Sequence, residues 1–246
     1  MLFLHKYNQT YNRYGFGRLC KCNPVVRSGM VTSDSFNRDD RVGAGTTDAA
    51  YGGSAMSWNT SELDIISNEL AWDTPPGDSS QERVYVQDDT ENVAVELKFT
   101  LGNDNPTQQG VGVSVRENAT GQRLKVSVDY NGMVFSHLQG FPIPSESLYG
   151  IIDLSSSPLS TTTQYILRVT MNGTNDFRAA VYTTGEVLVT DWGYKAERTW
   201  AYGGNSRVGI FLSGFSNTTV DDFKLWAYDD KPFDDLPDTA PPPPPK

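Results

Sequence analysis

Along the middle of the chain, apolar residues recur at every second position, run after run, between short turn signals. Asn92–Thr100 puts Val93, Val95, Leu97 and Phe99 on one side and Ala94, Glu96 and Lys98 on the other. Successive side chains of a strand point to opposite faces, so this pattern predicts a strand with one face buried. Gly110–Arg116 repeats it with Val111, Val113 and Val115. Leu124–Tyr130 does so with Leu124, Val126, Val128 and Tyr130, and Gln164–Met171 with Tyr165, Leu167, Val169 and Met171. Asn131-Gly132 is a two-residue hairpin signal into Met133–Leu138. Asn172-Gly173-Thr174-Asn175 turns into Phe177–Tyr182, and Thr184-Gly185 leads to Val187–Trp192. Arg207–Leu212 and Val220–Trp226 are further runs. A helical period is almost absent. Many short strands joined by turns predict an all-β sandwich of two antiparallel sheets. The Ser- and Pro-rich stretch Ser136–Thr163 reads as an irregular excursion over one sheet.

The two ends differ from this body. Residues 1–31 hold Lys6, Arg13, Arg18, Lys21 and Arg27 and no acid, while the whole chain carries −10, so the remainder carries −15. A basic arm on an acidic body suits docking. Within the arm, Tyr7, Tyr11, Arg13, Tyr14, Phe16 and Arg18 combine aromatic anchors with charge and follow no clean period. Five basic residues beside so acidic a body make a poor footprint for phosphates, so no nucleic-acid partner is expected. The other end runs through Asp229-Asp230-Lys231-Pro232 to five consecutive prolines and Lys246, a stiff polyproline spacer or solvated tail. The expected organisation is an arm over 1–33, a sandwich over 34–228 and a tail over 229–246. No apolar run approaches the ~20 residues of a membrane span, and the first residues lack the order of a secretory signal.

Particular residues narrow the fold. Asp34-Ser35-Phe36-Asn37-Arg38-Asp39-Asp40 opens the body, then come a Gly-rich loop, Trp58 and Ile65-Ile66-Ser67-Asn68-Glu69-Leu70. Near the end stand Val208-Gly209-Ile210-Phe211-Leu212 and Val220-Asp221-Asp222-Phe223-Lys224-Leu225. This order resembles the concanavalin A-like, or LamG-like, jelly rolls. It most resembles the version opening with D-x-F-N-R-x-D in minor tail and other virion proteins of tailed bacteriophages. The resemblance implies a jelly-roll sandwich with the closing Asp-Asp-Phe strand beside the opening strand and Trp58 in the core. It implies carbohydrate contact, virion assembly, or both. The added arm shifts the expectation toward a non-enzymatic virion protein of minor-tail, decoration or fibre type. Such a protein would be docked on capsid or tail subunits, associate with further copies of itself on the particle, and display its sandwich to cell-surface glycan. A free carbohydrate-binding module of a secreted protein, with the Pro tail as linker, is the alternative.

Catalytic constellations are weak. Glycoside hydrolases on this fold carry Glu-x-Asp-x-Glu on one strand, because retention needs two carboxyls about 5–5.5 Å apart. Glu62-Leu63-Asp64 begins that motif, but Ile66 and Ser67 occupy the place of the second Glu, and Glu69 is expected on the opposite face of the strand. The two histidines, His5 and His137, have no nucleophile elbow to serve. Cys20 and Cys22 are too few for a zinc site and too close for an easy disulfide, so reduced thiols are expected, with links between copies left open. Asp88-Asp89 and Asn103-Asp104-Asn105 could lend oxygens to a structural calcium ion or simply make turns. No other cofactor is expected. Trp192, Tyr194, Trp200, Tyr202 and Asn205 form the best glycan-contact candidate, with four rings in eleven residues of a Gly-rich stretch. Sugar faces stack on rings while amides bind hydroxyls. Capping of the core by Trp192 and Trp200 is the alternative.

Overall fold

The computed structural model describes residues 29–59, 63–72, 81–87, 92–102, 110–118, 122–139, 145–172, 176–195, 207–213 and 217–227. The six arm candidates, Cys20, Cys22 and the Pro tail lie outside these residues. So do Asp88, Asp89 and Asn103-Asp104-Asn105. The described residues form fourteen strands: β1 (Met30–Asp34), β2 (Leu63–Ile66), β3 (Glu69–Trp72), β4 (Gln81–Gln87), β5 (Val93–Thr100), β6 (Val111–Glu117) and β7 (Arg123–Asp129), then β8 (Gly132–Gln139), β9 (Ser145–Asp153), β10 (Gln164–Asn172), β11 (Asp176–Thr183), β12 (Leu188–Lys195), β13 (Arg207–Ser213) and β14 (Thr219–Ala227). One sheet runs β12-β11-β10-β5-β14-β3-β2, and β1 joins it beside β14. The other runs β4-β13-β6-β7-β8-β9. Every pairing is antiparallel. No helix among the described residues is long and apolar enough to cross a membrane.

The alternation seen in the sequence builds the core. Val93, Val95, Leu97 and Phe99 of β5 face Val111, Val113 and Val115 of β6, Leu124, Val126 and Val128 of β7, and Ile210 of β13 in one buried cluster between the sheets. Burial of a side chain of this kind contributes about 1.5–3 kcal/mol. The closing strand lies beside the opening one, Asp34 opposite Phe223, and Trp58 is buried, as the resemblance implies.

The opening motif is a buried polar hub. Asp34 is wholly buried and accepts hydrogen bonds from Phe36 N (2.9 Å), Arg38 Nη1 (2.5 Å), Arg38 Nη2 (2.9 Å) and Trp58 Nε1 (2.7 Å). Phe36 sits at φ 51°, stacks on Trp58, and Trp58 meets the edge of Phe223 at 5.1 Å. The motif therefore locks the chain entry onto β14. The following loop returns along β1, with Ala49 N donating to Ser33 O and Ser54 N to Val31 O. That return carries Tyr51 to the outer face of the sheet.

Four features depart from the sequence expectation. Met30–Asp34 already pairs with β14, so the sheet begins inside the stretch assigned to the arm. Ser136–Thr163 is not irregular throughout: β8 continues to Gln139, and β9 pairs with it on both sides of a bulge at Tyr149. Leu148-Tyr149-Gly150 breaks the alternation, and among the described residues β9 pairs with β8 alone. Ser67 and Asn68 take φ 54° and 68°, the two left-handed residues of a tight hairpin, so Glu69 stands on β3 opposite Ile66 and not further along one strand. The β7–β8 turn is Tyr130-Asn131, one residue earlier than expected. Gly132 instead permits close approach of β9, since a Cβ there would fall 2.3 Å from Ile152 O.

Asp129, at the end of β7, gives a pH test. Burial pushes its carboxyl up to about 6, against the opposing hydrogen bonds from the Asn131 and Gly132 backbone. A folded value above the unfolded one adds stability that is present at low pH and is lost as pH rises through about 6. Asp129→Asn is therefore expected to stabilise the protein by about 1 kcal/mol at pH 8, after discount for partial exposure, and by nothing at pH 3. Urea midpoints at the two pH values check this.

Candidate functional site

On β14 the regular pairing with β5 breaks once. Val220 pairs with Phe99 and Phe223 with Leu97, so two residues, Asp221 and Asp222, stand against the single Lys98. Such a bulge re-aims side chains. Here it brings consecutive carboxylates, which a regular strand would send to opposite faces, around one ammonium group. Lys98 Nζ donates to Asp222 Oδ2 in a short hydrogen bond and lies 3.9 Å from Asp221 Oδ2. Gln164 Nε2, from β10, donates to Asp221 Oδ2 at 3.1 Å. Tyr51 Oη donates to the other oxygen of Asp222.

Tyr51, Lys98, Asp221 and Asp222 line an open cavity of about 240 Å³ with Ser35, Asn37 and Asn68, and Gln164 holds Asp221 from behind it. Three separate pieces of chain meet there: the opening loop, the β2–β3 hairpin tip and the β5–β14 pair. Partial burial, then the hydrogen bond and charge of Asp222, raise the Tyr51 hydroxyl above its ordinary value, so it stays a donor. Burial works against the charge of Lys98, but the hydrogen bond and charge of Asp222 outweigh it and raise its pKa. Next to the cavity, Glu96 accepts from Lys224 (2.8 Å) and Arg168 (2.9 Å), and Arg168 also meets Glu186. Lys224 lies 4.6 Å from the Tyr51 ring centroid and Arg168 4.7 Å from that of Tyr182. On the other sheet, Ser114, Lys125, Ser127 and Ser136 are buried.

No protein-family model matches the chain, and no curated protein matches it. Solved structures do. The chain is similar to the CBM2 module of the evolved Dit of Lactobacillus casei BL23 phage J-1, at 10% identity and TM-score 0.50, over 81% of this chain and 95% of that one. The fold is a concanavalin A-like jelly roll. The GH43 BlXynB protein of Bacillus licheniformis matches at 13% identity and TM-score 0.52, over 80% of this chain and 39% of that one. A legume lectin-like domain from Entamoeba histolytica matches at 11% identity and TM-score 0.48, over 69% and 89%.

On this jelly roll the sequence-derived candidates fall as follows. Trp192 and Tyr194 lie on the edge strand β12, at register positions opposite Ala179 and Phe177. Both of those partners belong to the core between the sheets. Trp200, Tyr202 and Asn205 lie outside the described residues. His137 lies on β8 opposite Leu124. Asp64 accepts from Gly43 N at 2.6 Å, and Glu62 is outside the described residues. Among the described residues no group of three or more His, Cys, Asp and Glu could hold a metal ion. In the Asp221–Asp222 cavity the Lys98 ammonium stands where a cation would have to sit. The cavity itself was not singled out from sequence, although Asp221 and Asp222 stood inside the closing motif.

Proposed function

We propose that this jelly roll is a non-enzymatic carbohydrate-binding protein of a bacteriophage particle. Its basic N-terminal arm docks it to capsid or tail subunits, and further copies associate on the same particle. One observation supports the reading most: the chain aligns over 95% of the CBM2 module of a phage Dit. The charge division between arm and body supports the docking half. The non-enzymatic half rests on the β2–β3 hairpin, which interrupts the Glu62-Leu63-Asp64 start of an acid pair. Repeated copies would turn weak glycan contacts into firm attachment.

Density-gradient sedimentation of lysate from the source culture tests this. Co-sedimentation with intact particles through a salt wash, together with binding of those particles to host-wall polysaccharide, is the expected result. Recovery only as small soluble protein would remove the virion reading and favour a secreted module. For the candidate rings, Trp200→Ala with Tyr202→Ala is expected to lower polysaccharide binding at least tenfold; unchanged binding places the contact elsewhere.

A further inference from the structure

We propose that the cavity between the β14 bulge and the opening loop binds the vicinal diol of a single neutral hexose unit. The proposal takes its ligand class from the carbohydrate reading above. Size sets the first limit. About 240 Å³ is the volume of roughly eight liquid waters, below the ~300–1,000 Å³ of pockets that enclose larger ligands. One sugar ring fits that scale and an enclosed oligosaccharide does not.

The hydrogen-bonding inventory sets the second limit. Asp222 is committed to Tyr51 and Lys98. Asp221 is held by Gln164 at one oxygen, and its side chain remains 34% exposed. An ammonium has three donors, and one from Lys98 goes to Asp222. The exposed residues Asn37 and Asn68 add amides able to donate and to accept. A lone hydroxyl would use half of this set. Adjacent hydroxyls use it more fully: one donates to Asp221 and accepts from Lys98, and its neighbour exchanges hydrogen bonds with an Asn amide.

Charge sets the third. Two carboxylates surround one ammonium, so the cavity carries excess negative charge and disfavours uronic acids and phosphorylated sugars. Because the carboxylates are already held by Gln164, Tyr51 and Lys98, little side-chain freedom is lost on binding.

Titration of the full chain with methyl α-mannoside, methyl β-galactoside and methyl α-glucoside, followed at the side-chain amides of Asn37, Asn68 and Gln164, tests the proposal. At least one glycoside is expected to give saturable shifts with Kd on the order of 1 mM. Asp221→Ala and, separately, Asn37→Ala should each weaken it about tenfold, with unchanged thermal midpoints checking the fold. Glucuronate should bind at least tenfold more weakly. No saturable shift with any of the three glycosides overturns the proposal, as does a stronger response to ethylammonium than to glycoside. Glycoside binding that survives both variants and is lost in Trp200→Ala also overturns the cavity, while leaving carbohydrate binding intact. Failure of the full chain to bind any glycoside or host-wall polysaccharide ends both readings.

Discussion

Arg38→Ala is expected to destabilise the protein by about 3–5 kcal/mol, near the top of the range for a single substitution. The cost comes from what is left behind. Asp34 is wholly buried, and its carboxylate keeps only Phe36 N and Trp58 Nε1 as donors once the two guanidinium hydrogen bonds are gone. The reverse change, Asp34→Ala, should cost less, about 2–3 kcal/mol, because the Arg38 side chain is 20% exposed and still donates to Ala44 O. The order of the two variants separates a buried-charge effect from loss of contacts, which would make Asp34→Ala, with four hydrogen bonds removed against three for Arg38→Ala, the costlier change. Urea midpoints at pH 7, with unchanged denaturant slopes, give both numbers. A cost below about 1 kcal/mol for Arg38→Ala would show that water reaches Asp34 and that the hub is not what fixes the opening loop.

That hub also shows what the sequence carries and what it does not. The strands with unbroken alternation, β5, β6, β7, β10 and β11, were legible because one face of each packs into the inter-sheet core and the other does not. The D-x-F-N-R-x-D pattern was legible as a fold signature, and its acid and arginine lie four residues apart. The cavity was not legible. Lys98 and Asp222 are 124 residues apart, and they meet only because β5 and β14 pair with a bulge at that point. A bulge is a property of the register between two strands, not of either strand alone. The β2–β3 hairpin was missed for a local reason. Its turn is Ser67-Asn68, without the glycine that marks such turns, and both residues accept left-handed φ values. There Asp40 Oδ1 receives Ser67 N at 2.7 Å, a bond from the opening loop that no local pattern announces.

Glu96→Gln is expected to lower stability by about 1.5–3 kcal/mol at pH 7, and the difference should shrink as pH falls below the unfolded value of about 4.3. Glu96 lies on the outer face of the eight-stranded sheet with only 15% of its side chain exposed, between Lys224 and Arg168. Burial alone would raise its carboxyl, but the charge and hydrogen bonds of Lys224, then of Arg168, outweigh that and hold it below its ordinary value. A folded value below the unfolded one adds stability that is fully present above the unfolded pKa, about 4.3. That stability is lost as pH falls through the folded value. Glutamine keeps an acceptor but removes the charge, so the variant lacks this contribution at every pH. Wild type and variant should therefore converge on acidification, with the wild type showing the steeper acid limb. A difference that stays constant from pH 7 to pH 3 would mean that the loss is one of packing, and that Lys224 and Arg168 find equal partners in water. Convergence would instead establish the Lys224–Glu96–Arg168 row as the electrostatic brace of this face. The row joins β14, β5 and β10, the same three strands that hold the Lys98, Asp221 and Gln164 side of the cavity.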